Sequence, residues 1–349
     1  MTVTIEDISK KLGISISTIS KALNGYADVS SQTRDLVLQT AQEMGYHPNT
    51  AARNLRRGRT DKIGIIMSES IVYISEYLAE IIPGAALTAE QHDTNLILYT
   101  SVDNPIANLT RVCRSREVDG MILLWSSEMR SMIDLLEREN MPYIIIGRRS
   151  EREGTSYIAP DNFAGAKAIT QHLIQLGHDR IGFMLRPALG TTNVDRFAGY
   201  RAALEEADLP LINDLVVDTA IEQRSGYHAM NTLLDLPHPP TAVFSFHDVV
   251  AVDAMVAATE RGLRLPDDIS ITGFDGLRSS LITTPRLTTV RQPLHEIGQR
   301  TVSALLALVE DNSLPPIREL VPVQLEIRES TASPQHSRLL LNSSDPHTP

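Results

Sequence analysis

Hydrophobic residues recur at helical spacing at the start of the chain. Thr4 and Asp7 form a capping-box pattern, and Ile5, Ile8 and Leu12 then fall on one helical face. A short helix with one apolar side is therefore predicted, and the glycine that follows Leu12 permits a tight turn.

A second helix is predicted to begin after this turn. Ser15 can cap it, and Ile19, Ala22 and Leu23 would point inward. Its outer side would carry Ile16, Ser17, Ser20 and Lys21. Two helices joined by a glycine-containing turn of about three residues form the helix-turn-helix signature.

A third helix is predicted with Ser31 as its cap and with Val37, Ala41 and Met44 on one face. The glycine after Met44 is placed to end it. Because three short amphipathic helices can share one small core, residues 1–48 are expected to form a small all-α headpiece.

Residues 49–60 predict one more short helix. Asn49 is a good cap and a glycine nine positions later is a good stop, and so short a helix is marginal alone in water. Leu55 stands amid Arg53 and Arg56, as expected of an apolar wedge inserted between base steps in the minor groove of DNA. The alternative is that Leu55 packs on the rest of the subunit.

From about Lys62 onward, continuous apolar runs alternate with amphipathic segments. The runs predict strands at Ile63–Met67, Leu96–Tyr99, Met121–Leu124, Tyr143–Ile146, Ile181–Met184, Leu215–Val217, Ala242–Phe246 and Ser270–Gly273. The amphipathic segments predict helices at Ser75–Gln91, Asn104–Arg116, Phe163–Leu176, Arg196–Ala207, Gly226–Leu234, Val249–Arg261 and Leu294–Asp311. Apolar strands between crossover helices indicate an α/β body with doubly wound parallel sheets.

Composition limits the class of protein. With 349 residues, of which 42% are hydrophobic, the chain can form two or three domains with buried cores. No apolar run approaches the roughly 18 residues that span a bilayer, and the first residues lack a signal peptide's apolar stretch. A cytoplasmic protein with no membrane role is therefore expected, and residues 333–349 are expected to form a flexible tail.

Charge is divided unevenly along the chain. Residues 1–60 hold eight Lys or Arg against five Asp or Glu, a net charge of +3. Since the whole chain carries −11, the remainder carries −14. An acidic body repels DNA, so the N-terminal segment is the credible surface for phosphate binding.

The motifs of these segments resemble a known family. The run TIEDISKKLGISISTISKALNG, followed by VSSQTRDLVLQTAQEMGYHPNTAARNLRRG, resembles the DNA-binding headpiece and hinge of the LacI/GalR family of bacterial transcription regulators. The resemblance continues through HLIQLGHDRIGF, PTAVFSFHD, LPDDISITGFDG and PRLTTVRQP to about residue 332.

The resemblance implies the organisation of the body. Residues 61–332 would form a two-lobed effector-binding and dimerisation domain similar to type I periplasmic binding proteins. The first lobe would span about 62–160 and the second about 161–290, and parts of 290–332 would belong to both. Three crossover strands would join the lobes.

The outer side of the second helix is the expected DNA-contacting surface, since side chains near the N-terminus of a recognition helix reach base edges. Lys21 could donate to guanine O6 or N7, Ile16 could pack on a thymine methyl, and Ser17 could donate or accept. In the family, residues at these positions set operator choice, although Lys21 could instead contact only phosphate. Backbone contacts or structural roles are expected for Ser15, Thr18, Ser20, Asn24, Ser30, Thr33 and Tyr46, and minor-groove contacts for Asn49, Arg53, Leu55 and Arg56.

Ligands of open α/β sheets bind beyond the carboxyl ends of the strands. Sugars combine flat apolar ring faces with many hydroxyls. Aromatic side chains can pack on the ring faces, and bidentate Asp and Arg groups can bind the hydroxyls. The candidate effector-binding residues in such positions are Ser68, Tyr73, Trp125, Arg148, Asp161, Arg196, His247 and Asp275. Arg196 and Asp275 match the family's best-marked effector contacts, whereas His247 stands where the family commonly has asparagine.

Structural roles compete with ligand binding at several of these positions. Trp125 could belong to the core, and Arg148 with Arg149 could be a solvated pair. Asp161 and Asp248 are both placed to cap the helices that follow them.

These patterns predict a homodimeric transcriptional repressor that binds a near-palindromic operator in double-stranded DNA. A sugar or oligosaccharide between the lobes would control its DNA affinity, and a purine is the alternative effector. An enzyme is disfavoured because the sequence has no P-loop, GxGxxG, HExxH or cysteine-rich metal spacing, so no cofactor or metal is expected. A transport binding protein is disfavoured by the headpiece and by the lack of a signal peptide.

Overall fold

The computed structural model describes residues 3–23, 26–46, 58–67, 75–100, 104–124, 126, 128–186, 190–219 and 224–335. The chain divides into two compact units, Met1–Thr60 and Asp61–Pro349.

The first unit contains three short helices, α1 (Ile5–Leu12), α2 (Ile16–Leu23) and α3 (Ser31–Glu43). The predicted capping box is present at α1, where the Thr4 amide donates to Asp7 Oδ2 at 2.9 Å. Gly13 ends α1 in the left-handed conformation, with a φ of 63°. Ser15 Oγ then accepts from the Thr18 amide at 3.1 Å, which confirms the predicted cap of α2.

The predicted cap of α3 is wrong by one residue. Ser30 has extended backbone and its Oγ accepts from the Thr33 amide at 3.2 Å, whereas Ser31 is the first helical residue. Both serines satisfy the sequence preference, and only the backbone conformation outside the helix distinguishes the cap.

One small core joins the three helices of the first unit. Ile8, Ile19 and Val37 are fully buried, and Ala22 and Ala41 pack beside them. The predicted inward faces of the three helices therefore meet as expected.

The second unit alternates strands and helices. In chain order its elements are β1 (Lys62–Met67), α4 (Ser75–Gln91), β2 (Asn95–Thr100), α5 (Pro105–Ser115), β3 (Gly120–Leu123), α6 (Met129–Arg138), β4 (Tyr143–Ile146), β5 (Tyr157–Pro160), α7 (Asn162–Gln175), β6 (Ile181–Leu185), α8 (Thr191–Glu206), β7 (Val216–Asp218), α9 (Ser225–Leu234), β8 (Ala242–Ser245), α10 (Asp248–Glu260), β9 (Ser270–Thr272), α11 (Ser279–Ile282), β10 (Thr289–Arg291), α12 (Leu294–Glu310), β11 (Arg318–Val321) and β12 (Gln324–Glu326).

Two parallel sheets organise these elements into two lobes. The first lobe has a six-stranded sheet in the order β11-β5-β4-β3-β1-β2, and the second has a four-stranded sheet in the order β7-β6-β8-β9. Helices cover both sheets, so the predicted fold class is confirmed.

The first lobe is completed by residues far along the chain. β11 pairs with β5, and α12 packs closely on α4. A Cβ at Gly84 would lie 2.0 Å from the carbonyl oxygen of His295, and one at Gly298 would lie 2.4 Å from that of Ile81. The two helices can approach this closely because both contact points are glycines.

The sequence prediction lacks three elements of the first lobe, β5, α6 and β11, although every residue of β5 is buried. It also lacks α11, β10 and β12, and it shifts one strand of the second lobe. Leu215 was assigned to a strand but lies in a 3-10 turn at Asn213–Leu215, and β7 begins at the next residue. These are short elements, for which pattern alone gives a weak signal.

Candidate functional site

The outer side of α2 is exposed. Ile16 is 45% exposed and Ser17 is also exposed, while Lys21 lies on the last turn of the helix. The ammonium of Lys21 lies 2.5 Å from Asp28 Oδ2, so the predicted base-contacting cation is paired with a carboxylate of the same unit.

The hydroxyl groups predicted to contact phosphate have structural partners. Ser15 and Thr18 lie 2.8 Å apart through their side-chain oxygens at the start of α2, and Ser30 and Thr33 form the same pair at α3. Tyr46 packs against the small core. Ser20 is half-buried and also interacts with a neighbouring group.

Several predicted site residues lie outside the described residues. They are Asn24, Asn49, Arg53, Leu55 and Arg56 of the predicted DNA-contacting set, and Ser68, Tyr73 and Trp125 of the predicted effector-binding set. Their assignments stay predictions.

A buried polar cluster surrounds Arg196 in the second lobe. Arg196 lies on α8, is 3% exposed, and places its guanidinium 3.7 Å from the ring centroid of Phe274. Its Nε donates to Asn162 Oδ1 at 2.8 Å, one terminal nitrogen donates to the carbonyl of Phe246, and the other donates to Asp275 Oδ1 at 3.1 Å. Burial lowers the pKa of Arg196, and the Asp275 carboxylate opposes that shift.

Asp275 follows β9 and has unusual backbone geometry. Its φ is +115°, a region that L residues rarely adopt, and its amide and carbonyl are held by Val290 and Gln292. The Gln292 side-chain amide also donates to Asp275 Oδ1. Strained backbone of this kind is typical of functional sites, where the surrounding structure holds it in place.

His247 caps α10 and faces Asp275. Its Nδ1 accepts from the Val249 amide at 3.3 Å, so the neutral ring carries its proton on Nε2. Nε2 lies 2.9 Å from Asp275 Oδ2 but is not aligned with it as a hydrogen bond. His247 therefore presents a donor beside a carboxylate oxygen.

The predicted capping role of Asp248 is wrong. His247 provides the cap, and Asp248 is fully buried and accepts from the Leu277 amide at 2.7 Å and from the Thr289 hydroxyl at 2.6 Å. Burial raises the pKa of Asp248, and the negative charge of Asp275 raises it further.

Asp161 caps α7, as the sequence predicted, and accepts from the Ala164 amide at 2.9 Å. The next residue, Asn162, is the one that reaches the cluster, through its bond to Arg196. Neither Asn162 nor Gln292 was predicted as a site residue, although Asn162 lies two residues beyond the carboxyl end of β5, where ligand contact is favoured.

Four buried side-chain atoms at or near this cluster have no hydrogen-bond partner among the described residues. They are Asp275 Oδ2, Gln292 Oε1, His247 Nε2 and Thr192 Oγ1. Two of them can only accept, one donates, and a hydroxyl can do both. Buried polar atoms are seldom left unpaired, so this set is suited to a small polar ligand.

Residues of the first lobe lie near the Arg196 cluster or contact the second lobe. Tyr77 on α4 is buried, and it lies close enough to Asp275 and Arg196 for their charges to act on its pKa, which burial raises. Arg149 Nε donates to both carboxylate oxygens of Asp195 at 2.8 and 2.9 Å, so it is not the solvated residue that the sequence allowed. Arg148 lies beside Gly190 at the start of α8.

A cavity of about 240 Å³ lies elsewhere in the first lobe, and none of the candidate residues contributes to it. Its lining includes Tyr143 and Ser156, at the amino ends of β4 and β5. Ligands of parallel sheets gather at the carboxyl ends, so this cavity is not the expected effector site.

In the part of the chain that the structure describes, no three His, Cys, Asp or Glu side chains are grouped to hold a metal ion. Across the same residues, no helix is both long and apolar enough to cross a membrane.

Two families match parts of the chain. The family described as "Bacterial regulatory proteins, lacI family" matches residues 4–49, and the family described as "Periplasmic binding protein-like domain" matches residues 170–331. The HTH-type transcriptional repressor PurR of Pasteurella multocida is 33% identical over 334 residues, which cover 95% of this chain and 99% of that protein. PurR of Escherichia coli is 32% identical, with 95% and 98% covered.

Solved structures agree with the sequence matches. The lac repressor dimer bound to operator and the anti-inducer ONPF has a TM-score of 0.82 at 25% identity and covers 95% of this chain and 100% of that one. The complex of the transcriptional regulator CelR with cellobiose has a TM-score of 0.74 at 28% identity, with 94% and 99% covered. A regulator of Enterococcus faecium with bound ribose has a TM-score of 0.69 at 25% identity, with 78% and 100% covered.

Proposed function

The chain belongs to the LacI family of bacterial regulatory proteins and is a DNA-binding transcriptional repressor, and from this premise we propose that an uncharged sugar, bound at the Arg196–Asp275 cluster, controls its operator affinity. The buried polar atoms around this ion pair that form no hydrogen bond within the described part of the chain carry the proposal.

The charge balance of the cluster supports an uncharged effector. The Arg196 guanidinium is compensated by the Asp275 carboxylate, and the acceptors left over, Asp275 Oδ2 and Gln292 Oε1, would face a negative group unfavourably. Sugar hydroxyls both donate and accept, so adjacent hydroxyls can satisfy the carboxylate oxygen and the His247 Nε2 proton together. The CelR and Enterococcus structures contain cellobiose and ribose in regulators of this fold.

A purine base is the second candidate effector. The relatives named PurR are 31–33% identical to this chain over most of its length, which favours a purine. A neutral purine also offers ring N–H donors and ring nitrogen acceptors. The polar atoms of the cluster therefore fit both classes, and affinity measurements must separate them.

We propose a homodimer that forms through exposed apolar residues of the second unit. Leu98 on the edge strand β2 is 46% exposed, and Leu281 and Ile282 on α11 are 50% and 75% exposed. The two regions belong to different lobes, but the amide of Ser279 donates to Glu76 Oε2, which connects α11 to α4. Exposed large apolar residues are typical of a subunit interface.

Two recognition helices of such a dimer would present Ile16, Ser17 and Lys21 to matching half-sites. The predicted hinge would insert Leu55 into the minor groove between them. Effector binding would then change DNA affinity, and linkage requires DNA to change effector affinity by the same factor.

A selection of duplexes from a random library, followed by titration of the selected duplex, tests the proposal. We expect the full-length protein to prefer one near-palindromic sequence and its affinity to change when the correct sugar or purine base is added. Asp275→Asn should abolish the response to effector but retain DNA binding in the protein that circular dichroism shows to be folded, since the substitution leaves Arg196 buried without its counter-charge. The matched control is Asp267→Asn, which removes an exposed carboxylate from the same lobe. Lack of any sequence preference would contradict the repressor assignment, and an unchanged response in Asp275→Asn would contradict the site.

A further inference from the structure

A carboxylate lies beside Lys21, the predicted DNA-contacting cation of the first unit, although DNA phosphates attract positive charge and repel negative charge. Asp28 lies in the loop between α2 and α3, and its Oδ2 is 2.5 Å from the Lys21 ammonium. Both side chains are about half exposed, at 46% for Lys21 and 55% for Asp28. Exposed ion pairs contribute little to stability, so the effect of this pair on the stability of the fold is small.

The loop holds Asp28 at a defined place beside the recognition helix. The Tyr26 amide donates to the Lys21 carbonyl at 3.1 Å, and the Val29 amide donates to the Tyr26 carbonyl at 3.3 Å. Arg34 also donates to the Tyr26 carbonyl at 2.7 Å, and Val29 is buried in the small core. The residues on both sides of Asp28 are therefore anchored, and its carboxylate stays near the end of α2.

A lysine and a carboxylate side by side form a donor next to an acceptor. The ammonium can only donate and the carboxylate can only accept. In the major groove, a G·C pair offers the guanine O6 and N7 acceptors next to the donor amine of cytosine N4. The polarity of the side-chain pair matches the polarity of that base pair.

We propose that Lys21 and Asp28 act as one unit that selects a G·C base pair in each operator half-site, with Lys21 donating to guanine and Asp28 accepting from cytosine. The inference rests on the proposed function, because it needs α2 in the major groove. Asp28 also holds the ammonium away from phosphate, which makes Lys21 selective among bases.

The polarity argument ranks the other base pairs. At this position, A·T and C·G place a donor amine opposite Lys21 and an acceptor opposite Asp28, so both are mismatched. T·A keeps the central acceptor and donor but replaces N7 with a methyl group. We expect binding to fall about tenfold or more for A·T and C·G, and less for T·A.

Duplex selection with full-length variants tests the inference. Asp28→Asn should lower the preference for one G·C pair per half-site about tenfold, because an amide can donate as well as accept. The same variant should bind random duplex more tightly, with a salt slope steeper by about 0.9 if the freed Lys21 gains one phosphate contact. Asp35→Asn, which removes an exposed acid from α3, is the matched control and should leave every base preference unchanged.

Two outcomes overturn the inference. If Asp28→Asn keeps the wild-type preference at every position, or changes binding only as Asp35→Asn does, Asp28 has no part in base selection. A second variant, Asp28→Ser, guards against an effect of the amide itself. If the wild-type protein selects no sequence at all, the proposed function fails and this inference fails with it.

Discussion

The two units of the chain each contain a cation paired with a carboxylate, and the two pairs differ in burial. Lys21 and Asp28 of the first unit are about half exposed, whereas Arg196 and Asp275 of the second unit are 3% and 1% exposed in their side chains. In water an ion pair gains little because both charges are already solvated. In the interior, each charge has lost its water and is stabilised only by the opposite charge and by nearby hydrogen bonds.

The difference indicates what each pair can do. The exposed pair can contact DNA with both of its members, because about half of each side chain is accessible to solvent. The buried pair is fixed by Asn162, Gln292 and the Phe246 carbonyl, so it can orient a ligand with few moving parts. The loss in the free energy of unfolding that a substitution causes should therefore increase with the burial of the group it removes.

Replacing the buried cation should have the largest effect. Arg196→Met would leave the Asp275 carboxylate buried without its counter-charge, and we expect a loss of about 3–5 kcal/mol in the free energy of unfolding. Urea unfolding followed by circular dichroism measures it. Arg201→Met is the matched control on the same helix, since its pair with Glu205 is exposed on both sides. A loss below about 1 kcal/mol for Arg196→Met would contradict the comparison.

A buried neutral group should come next. His178 is 2% exposed, its Nε2 donates to the Ala332 carbonyl at 2.9 Å, and Thr241 supports its Nδ1 at 2.8 Å. Burial lowers the pKa of His178 below its ordinary value of 6.5. Above pH 6.5 the histidine is neutral in both states; as the pH falls below it, the unfolded chain binds the proton first and stability is lost.

The loss should reach about 1.4 kcal/mol per pH unit for this residue until the folded pKa is passed. Unfolding curves at pH 7.5 and 5.5 for the wild type and His178→Gln measure the contribution of this residue. His92→Gln, at an exposed position, should keep the wild-type dependence. An identical pH dependence in His178→Gln would show that another group is responsible.

The pair between the lobes should have an intermediate effect. Arg149 and Asp195 are 28% and 17% exposed, and we expect a coupling free energy of about 1 kcal/mol between them. A double-mutant cycle with Arg149→Gln and Asp195→Asn measures that coupling by thermal unfolding. Additive effects of the two substitutions would mean that the contact does not join the lobes energetically.

The exposed pair should have the smallest effect on stability. Lys21→Gln is expected to leave the urea midpoint of unfolding nearly unchanged, while operator affinity falls strongly. Urea unfolding and a DNA titration on the same preparation separate the two quantities. A large loss of stability would mean that the Lys21–Asp28 pair supports the fold of the first unit.

The amino-acid sequence by itself determined the local structure. The capping box at Thr4, the glycine after α1 and the spacing of Ile8 and Ile19 predicted the first unit because these signals act within a few residues. Long apolar runs likewise predicted most strands of both lobes. Short motifs that resemble a family also predicted Arg196 and Asp275 as site residues, and the structure brings their side chains together.

Only the tertiary structure decided which side chains meet. Arg196 lies 34 residues from Asn162 and 79 residues from Asp275 in the sequence, so no helical or strand period relates these residues. Residue preference favours Asp248 as the cap of α10, but His247 has the extended backbone of a cap, and the Asp248 carboxylate is bonded to Leu277 and Thr289 instead. Helical and strand periods fix which face of an element is apolar, whereas the contacts between distant elements follow from how those faces pack.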